Sequence, residues 1–253
     1  FFNEQLEVAA TLTGANLTSL AASVDYFLGK GIRTLRLAPS VVHDPDWRPD
    51  QIWELDRQFA RVYGSSLRFY RRTGRVPLAL FRKTRADREP RPPDELRCAA
   101  ASGEALTVDA DGQVAGCVRL AASYQSWPTV WLRERASSLR LGHLGDADLE
   151  RRLAAYPAAA RSSRLFDLAT ANHSSYRRCG DCPCRSRCLV CPISIGRAWG
   201  GLDPHQVPDL QCAFAQVSLA YRDRFPGQPV GRELLRGEAR PPELLRELRA
   251  FVG

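Results

Sequence analysis

Apolar runs alternate with amphipathic stretches over the first third of the chain, and their periods predict the elements there. Short apolar runs bounded by turn residues are typical of buried strands, whereas apolar positions three and four apart predict helices. Strands are expected at 6–12, 32–37 and 76–81, and helices at 16–28, capped by Asn16, and 50–73. Strands and helices that alternate at this spacing predict βαβ units and a parallel sheet, hence an α/β fold.

The pattern changes after residue 81, where charged and proline-rich sequence at 82–93 predicts a linker. Two strand-like runs then flank the sequence Asp-Ala-Asp-Gly at 109–112. The Asp-Gly pair predicts the turn of a β-hairpin rather than a calcium loop. Short helices are expected at 147–155, capped by Asp146, at 165–171, and at 242–251 near the end of the chain.

Composition and charge narrow the classes of function. The 253 residues carry a net charge of +8, and 44% are hydrophobic, which is ordinary for a soluble globular protein. No apolar run approaches the ~20 residues of a membrane span, so no membrane partner is expected. The arginines are scattered rather than gathered in a stripe, which argues against nucleic-acid binding. Without a signal-peptide pattern we expect a cytoplasmic location. Because the chain contains no methionine and opens on Phe1, we also expect that its front is missing.

Eight cysteines are the strongest chemical signal, and five of them lie between residues 179 and 191. A disulfide scaffold fits poorly, because nothing marks the chain as secreted and such scaffolds are usually much shorter. Thiolates on a short, irregular loop can instead converge on a soft metal. Two C-x2-C pairs could enclose one zinc ion and leave four cysteines unused, whereas two [4Fe–4S] clusters would use seven or eight. The residues alone leave both possibilities open.

The order and spacing of the cysteines resemble those of the SPASM domain of radical S-adenosylmethionine (SAM) enzymes. Cys98, Gly112 and Cys117 match its C-x(9–15)-G-x4-C opening. Cys179, Cys182 and Cys188 match its C-x2-C-x5-C core, and two further cysteines follow, as in the family. The sequence Leu-Gly-His-Leu-Gly-Asp at 141–146 stands where these proteins often carry a strand and turn.

The resemblance implies two auxiliary [4Fe–4S] clusters held by named cysteines. A distal cluster would be bound by Cys179, Cys182, Cys188 and Cys212, and a proximal one by Cys98, Cys117 and Cys191. Cys184 is additional to the family pattern, so either it is the fourth proximal ligand or that iron site is open.

The resemblance also implies a domain organisation. Residues 1–85 would be the C-terminal half of a radical SAM partial (β/α) barrel, 86–225 a small α+β SPASM domain, and 226–253 a helical tail. Thr13, Asn16, Arg36 and Leu37 stand at strand ends, where the family places SAM contacts.

The implied function is that of a radical SAM oxidoreductase that modifies a peptide or protein substrate. A 5′-deoxyadenosyl radical would abstract hydrogen, and the auxiliary clusters would accept an electron or position the substrate, with flavodoxin or ferredoxin as the electron donor. The C-x3-C-x2-C motif of the SAM-binding cluster is absent. SAM and a third cluster are therefore expected only in the intact parent protein, and this chain alone is expected to be inactive.

One position restricts which reaction the enzyme would catalyse. Anaerobic sulfatase maturases have an aspartate base where this chain has Val118, which argues against sulfatase maturation. No catalytic base is assigned; His143 and His173 are candidates, although packed or exposed histidines are commoner.

Two alternative functions remain open: a zinc-stapled binding module, and a scaffold or peptide-recognition subunit whose clusters serve only folding.

Overall fold

The computed structural model describes residues 6–41, 44–82, 98–103, 105–120, 140–162, 170–196 and 203–226. These residues fall into two compact units. Unit 1 combines the described residues up to 82 with those from 170 onward, and unit 2 comprises those from 98 to 162. The domain ranges 1–85, 86–225 and 226–253 rest on family resemblance rather than on packing, and they stay a prediction.

Unit 1 begins with a parallel strand–helix–strand arrangement, as the sequence pattern predicts. Strand β1 (Glu7–Leu12) pairs in parallel with β2 (Thr34–Pro39), and helix α1 (Leu20–Gly29) connects them. A 3-10 turn, Leu17–Ser19, precedes α1. Alternation along the strands buries Leu12 and Leu35 and leaves Arg36 exposed. The coarse α/β class is therefore confirmed.

Two details of the predicted first half are wrong. The strand expected at 76–81 is reduced to a single parallel bridge between Leu35 and Leu78, because the chain turns into a 3-10 helix at Ala79–Phe81. Asn16 does not cap the helix with its side chain. Its amide closes the preceding turn instead, accepting the Thr13 N–H and donating to the Thr11 carbonyl.

Two long helices form the main core of unit 1. Helix α2 (Ile52–Thr73) follows a 3-10 turn, Pro49–Gln51, and ends at Gly74, whose φ of +69° is the left-handed conformation that favours glycine. In the residues that follow the cysteine-rich segment, helix α5 (Asp209–Arg224) packs against α2.

Aromatic rings make the contact between the two helices. Phe59 of α2 lies edge-on to Phe214 of α5 with ring centroids 5.5 Å apart, and Phe225 stacks on Phe81 at 4.9 Å. Phe59 is fully buried, and burial of one such large side chain contributes about 3 kcal/mol to the free energy of unfolding.

The cysteine-rich segment is irregular, and one tyrosine anchors it to this core. Short 3-10 turns at Arg185–Arg187 and Pro192–Ser194 are its regular features. Tyr176 is buried in the core of unit 1, where its hydroxyl accepts a hydrogen bond from Trp47 Nε1 at 3.0 Å and donates to the Pro49 carbonyl at 3.0 Å. The segment is therefore fixed to the residues that precede α2 by the side chain of Tyr176 rather than by a sheet.

Unit 2 is a small antiparallel sheet with two helices. Strands β3 (Thr107–Val108), β4 (Gln113–Ala115) and β5 (Arg140–His143) lie in sequence order. Helix α3 (Ala99–Ser102) packs against α4 (Leu149–Ser162). The predicted hairpin is confirmed at β3–β4, and Gly112 in its turn has a φ of +83°. The helix expected at 147–155 is present and extends further, to Ser162.

Several predictions fall outside the described residues. These are most of the linker at 82–93, most of the helix at 165–171 and all of the helix at 242–251. In the described part of the chain, no helix has the length and apolar character needed to cross a bilayer.

Candidate metal centre

All eight cysteines lie within the described residues, and none of them forms a disulfide. Unit 2 holds two of them, Cys98 and Cys117, and unit 1 holds the other six. The five cysteines between 179 and 191 lie on irregular backbone and short turns, and Cys212 lies in the first turn of α5. Such turns leave backbone N–H groups without helical partners, so they can hydrogen-bond to sulfur.

Backbone N–H groups donate to two sulfurs of the turn segment. The Cys182 sulfur receives the N–H of Cys184, two residues on, and the Cys188 sulfur receives the N–H of Val190 in the same way. The Cys184 thiol also donates to the Cys182 sulfur. Hydrogen bonds that end on sulfur favour its anionic form, which is the form that binds metals.

The Cys212 sulfur receives two further hydrogen bonds, both from side chains. The Ser174 hydroxyl donates to it at 3.1 Å, and the Gln216 amide nitrogen donates to it at 3.2 Å. Ser174 comes from the loop before Cys179, whereas Gln216 lies one turn after Cys212 on the same helix. The sulfur is thus held between the turn segment and α5.

The thiols of unit 1 lie close enough to affect one another's ionisation. Burial, reinforced by the charges of Cys179 and Cys182, raises the pKa of Cys188 to about 11. Burial raises the pKa of Cys212 to about 12, with Cys188 and Cys182 acting in the same direction. Burial and the Cys182 charge also raise the pKa of Cys179. Because the pKa values of these three thiols are raised, a cation is needed to hold their thiolates together beside that of Cys182.

The pKa values of Cys182 and Cys184 shift in opposite directions, because the two groups share a hydrogen bond. The hydrogen bond between them lowers the pKa of Cys182 and raises that of Cys184, so the pair holds one proton, on Cys184. Two arginines of the segment act on these thiols: Arg177 contributes to the lowered pKa of Cys182, and Arg185 partly offsets the raised pKa of Cys179.

As the side chains lie, no group of three or more His, Cys, Asp or Glu residues within the described ranges is arranged to hold a metal ion. The donor set itself suits a thiolate-bound metal, because three of its sulfurs already receive hydrogen bonds. The eight metal ligands assigned from the sequence remain a prediction.

Cys191 is held through its backbone. Its N–H donates to Gln211 Oε1 at 3.1 Å, and the same oxygen accepts the Ser194 hydroxyl at 3.0 Å. Gln211 is almost fully buried, and its Nε2 makes no hydrogen bond. This buried amide N–H₂ in the first turn of α5 is therefore a donor without an acceptor among the described residues.

In unit 2, a buried tyrosine connects the segments that carry Cys98 and Cys117. The Tyr156 hydroxyl lies 3.0 Å from the Ala100 carbonyl and 3.2 Å from the Gly116 carbonyl, so it bridges the two chain segments. Burial raises the pKa of Tyr156 to about 12, and the charges of Cys117 and Cys98 act in the same direction. Both sulfurs therefore lie near one hydroxyl group that stays protonated at neutral pH.

The four residues expected to contact SAM do not share one surface. Asn16 and Leu37 line a cavity of about 80 Å³ between α1 and the helix-facing side of the two strands. Arg36 lies on the opposite face of the sheet, where it pairs with Glu7. Thr13 lies in the turn that the Asn16 amide closes. Their assignment to SAM remains a prediction.

The two candidate histidines differ in their surroundings. His143 Nδ1 accepts the Gly145 N–H at 3.0 Å, so Nε2 carries the proton and donates to the Asp111 carbonyl at 2.7 Å. Both ring nitrogens thus have a role in holding the hairpin turn. His173 Nε2 lies 2.7 Å from the half-exposed Asp203 carboxylate. The hydrogen bond from the His205 backbone N–H, and after it the contact with His173, lower the pKa of Asp203.

Three residues at these sites escape sequence reasoning. Ser174 and Tyr156 reach their partners through long-range folding, so no local pattern marks them. Gln216 follows Cys212 by four residues, a spacing that places both on one face of α5. That spacing is the one signal that could have identified it.

Comparison with protein-family models, with curated proteins and with solved structures found no match.

Proposed function

We propose that this chain is the C-terminal part of a radical SAM enzyme of the SPASM type, carrying two auxiliary [4Fe–4S] clusters and modifying a peptide or protein substrate. The observation that supports the proposal best is that three sulfurs of the expected distal set accept hydrogen bonds. The sulfurs of Cys182, Cys188 and Cys212 all accept hydrogen bonds, and the Cys182 charge acts together with burial to raise the pKa values of Cys179, Cys188 and Cys212.

An iron–sulfur cluster explains this arrangement better than a single zinc ion. Zinc in a structural site takes four ligands, which the two C-x2-C pairs would supply without Cys212. Yet Cys212 is the cysteine that receives two side-chain hydrogen bonds. Hydrogen bonds to the sulfurs are one of the means by which proteins tune iron–sulfur clusters.

The described residues have distinct roles in this proposal. Bound clusters would supply one-electron transfer during a radical reaction on the substrate. Cys179, Cys182, Cys188 and Cys212 would bind one cluster, and the arginines near the first two favour their thiolate forms. Tyr156 would hold in place the two segments that carry Cys98 and Cys117.

Metal and sulfide content after anaerobic expression and reconstitution tests the proposal. We expect about eight iron atoms per chain with matching acid-labile sulfide, as for two [4Fe–4S] clusters. The Cys98→Ser, Cys117→Ser double variant should keep about four, because it retains every distal ligand. One or two zinc ions without sulfide would overturn the proposal and leave a zinc-organised binding module.

A further inference from the structure

The Cys212 sulfur is the acceptor of two neutral donors whose geometry is fixed from different parts of unit 1. The Ser174 hydroxyl approaches it at 3.1 Å from the loop, and the Gln216 Nε2 at 3.2 Å from α5. The residues are mostly buried, at 9% exposed for Ser174 and 2% for Gln216. Because both donors are buried, water has little access to the positions from which they hydrogen-bond to the sulfur.

The Ser174 hydroxyl can direct its proton only at the sulfur. Its oxygen accepts the backbone N–H of Tyr176 at 3.2 Å and that of Arg177 at 3.4 Å. These two bonds use both lone pairs of the hydroxyl oxygen. The remaining hydrogen-bonding capacity is one proton, and the acceptor placed for it is Cys212 Sγ.

The buried position of the Gln216 amide lowers the free energy of unfolding. Its Oε1 is buried and makes no hydrogen bond in the structure. A buried acceptor without a partner costs about 1–3 kcal/mol, which an apolar side chain of the same length would avoid. The contact that offsets this cost is the N–H donated to the Cys212 sulfur. A buried polar atom without a hydrogen-bond partner is often found on a residue that serves function.

We propose that Ser174 and Gln216 are positioning residues that raise the reduction potential of the cluster bound through Cys212. This inference rests on the proposed function. Reduction adds one negative charge to a cluster and its thiolates, so donors aimed at a ligand sulfur stabilise the reduced form more than the oxidised form. The distal cluster would thereby become a better electron acceptor than it would be without these two donors.

Potentiometric titration followed by electron paramagnetic resonance tests the inference on the full reconstituted chain. Ser174→Ala and Gln216→Leu should each make reduction of one cluster about tenfold less favourable, which is about 59 mV for a one-electron couple. Iron and sulfide content should equal that of the wild type, so the readout does not depend on enzymatic activity. Ser174→Thr keeps the hydroxyl and should restore the potential, even though Ser174→Ala also loses the acceptor of two backbone N–H groups.

Two serines nearby serve as matched controls. The Ser175 hydroxyl donates to Asp209 at 2.6 Å, and the Ser218 hydroxyl donates to the Ala215 carbonyl at 3.4 Å on the same helix as Cys212. Ser175→Ala and Ser218→Ala should leave both reduction steps unchanged. A fully loaded chain whose potentials are the same in Ser174→Ala, Gln216→Leu and wild type would overturn the inference and leave the proposed function standing. A wild-type chain that takes up no cluster would overturn both.

Discussion

Residues of one type differ in chemistry here because their neighbours differ. Cys182 and Cys184 are two positions apart, yet the hydrogen bond between them gives one the character of a thiolate and leaves the other protonated. Cys212 is distinguished by its side-chain donors, and Cys191 by a bond from its backbone to Gln211. The spacing of the cysteines gives their order in the motif but does not distinguish their roles. The direction of the hydrogen bonds does, because some sulfurs accept them whereas the Cys184 thiol donates one.

Cys212→Ser and Cys184→Ser test this separation between ligand and donor. Cys212→Ser should lose about four iron atoms, one cluster's content, because a hydroxyl replaces a ligand sulfur. Cys184→Ser should keep the distal cluster, because the serine hydroxyl can still donate to Cys182. Iron and sulfide per chain measure both. Unchanged iron in Cys212→Ser would show that the distal ligand set is wrong.

Tyr156 is the residue on which the local structure of unit 2 depends most visibly. Tyr156→Phe removes the hydroxyl that bridges two buried carbonyls and should lower the free energy of unfolding by about 1–3 kcal/mol. A Cβ added at Gly116 would lie 1.7 Å from that hydroxyl, so Gly116→Ala should be more destabilising.

The double variant gives the control for this pair. In Tyr156→Phe, Gly116→Ala the oxygen that the new Cβ meets first is gone, so the loss should be smaller than the sum of the two single losses. Urea unfolding of the four chains measures the coupling. Strictly additive losses would contradict the close approach of Gly116 to Tyr156.

At the scale of elements, the α2–α5 contact links stability to the candidate site, since α5 carries Cys212. Phe59→Ala should lower the free energy of unfolding by about 3–5 kcal/mol, because the ring is fully buried against Phe214. Tyr26→Ala on α1 is the matched control, since that ring is 60% exposed and should change stability by less than about 0.5 kcal/mol. Equal effects in urea unfolding would contradict the packing described.

The sequence predicts the elements whose pattern is strong and local. β1, α1, β2, α2 and the β3–β4 hairpin follow from periodicity and from the Asp-Gly turn. The strand expected at 76–81 was not predictable in its observed form, because its pairing is limited to one bridge with Leu35 of β2 and its own apolar run does not show where that pairing stops. The association of α5 with α2 likewise depends on contacts between residues more than 150 positions apart, such as Tyr221 with Asp56.

At the scale of the whole molecule, the raised thiol pKa values of the folded chain predict that metal binding releases protons. The thiols of Cys179, Cys188 and Cys212 hold their protons at pH 7, because their pKa values lie above the ordinary value for cysteine. Binding in thiolate form should therefore release about three protons from these groups, and affinity should rise as pH rises toward their pKa values.

Titration calorimetry with zinc in buffers of different ionisation enthalpy measures this release on the metal-free chain. Cys188→Ser should release one proton fewer than the wild type, since a serine hydroxyl has no proton to lose at this pH. Affinity that does not change between pH 6 and 8 would contradict the ionisation states described.

The central claim is that thiolates of this chain bind iron–sulfur clusters, and X-ray absorption at the iron and zinc edges tests it most directly. On the chain purified anaerobically, we predict iron surrounded by sulfur with a second shell of iron neighbours, as in a [4Fe–4S] cluster. Zinc surrounded by sulfur, with no iron–iron shell, would contradict the claim.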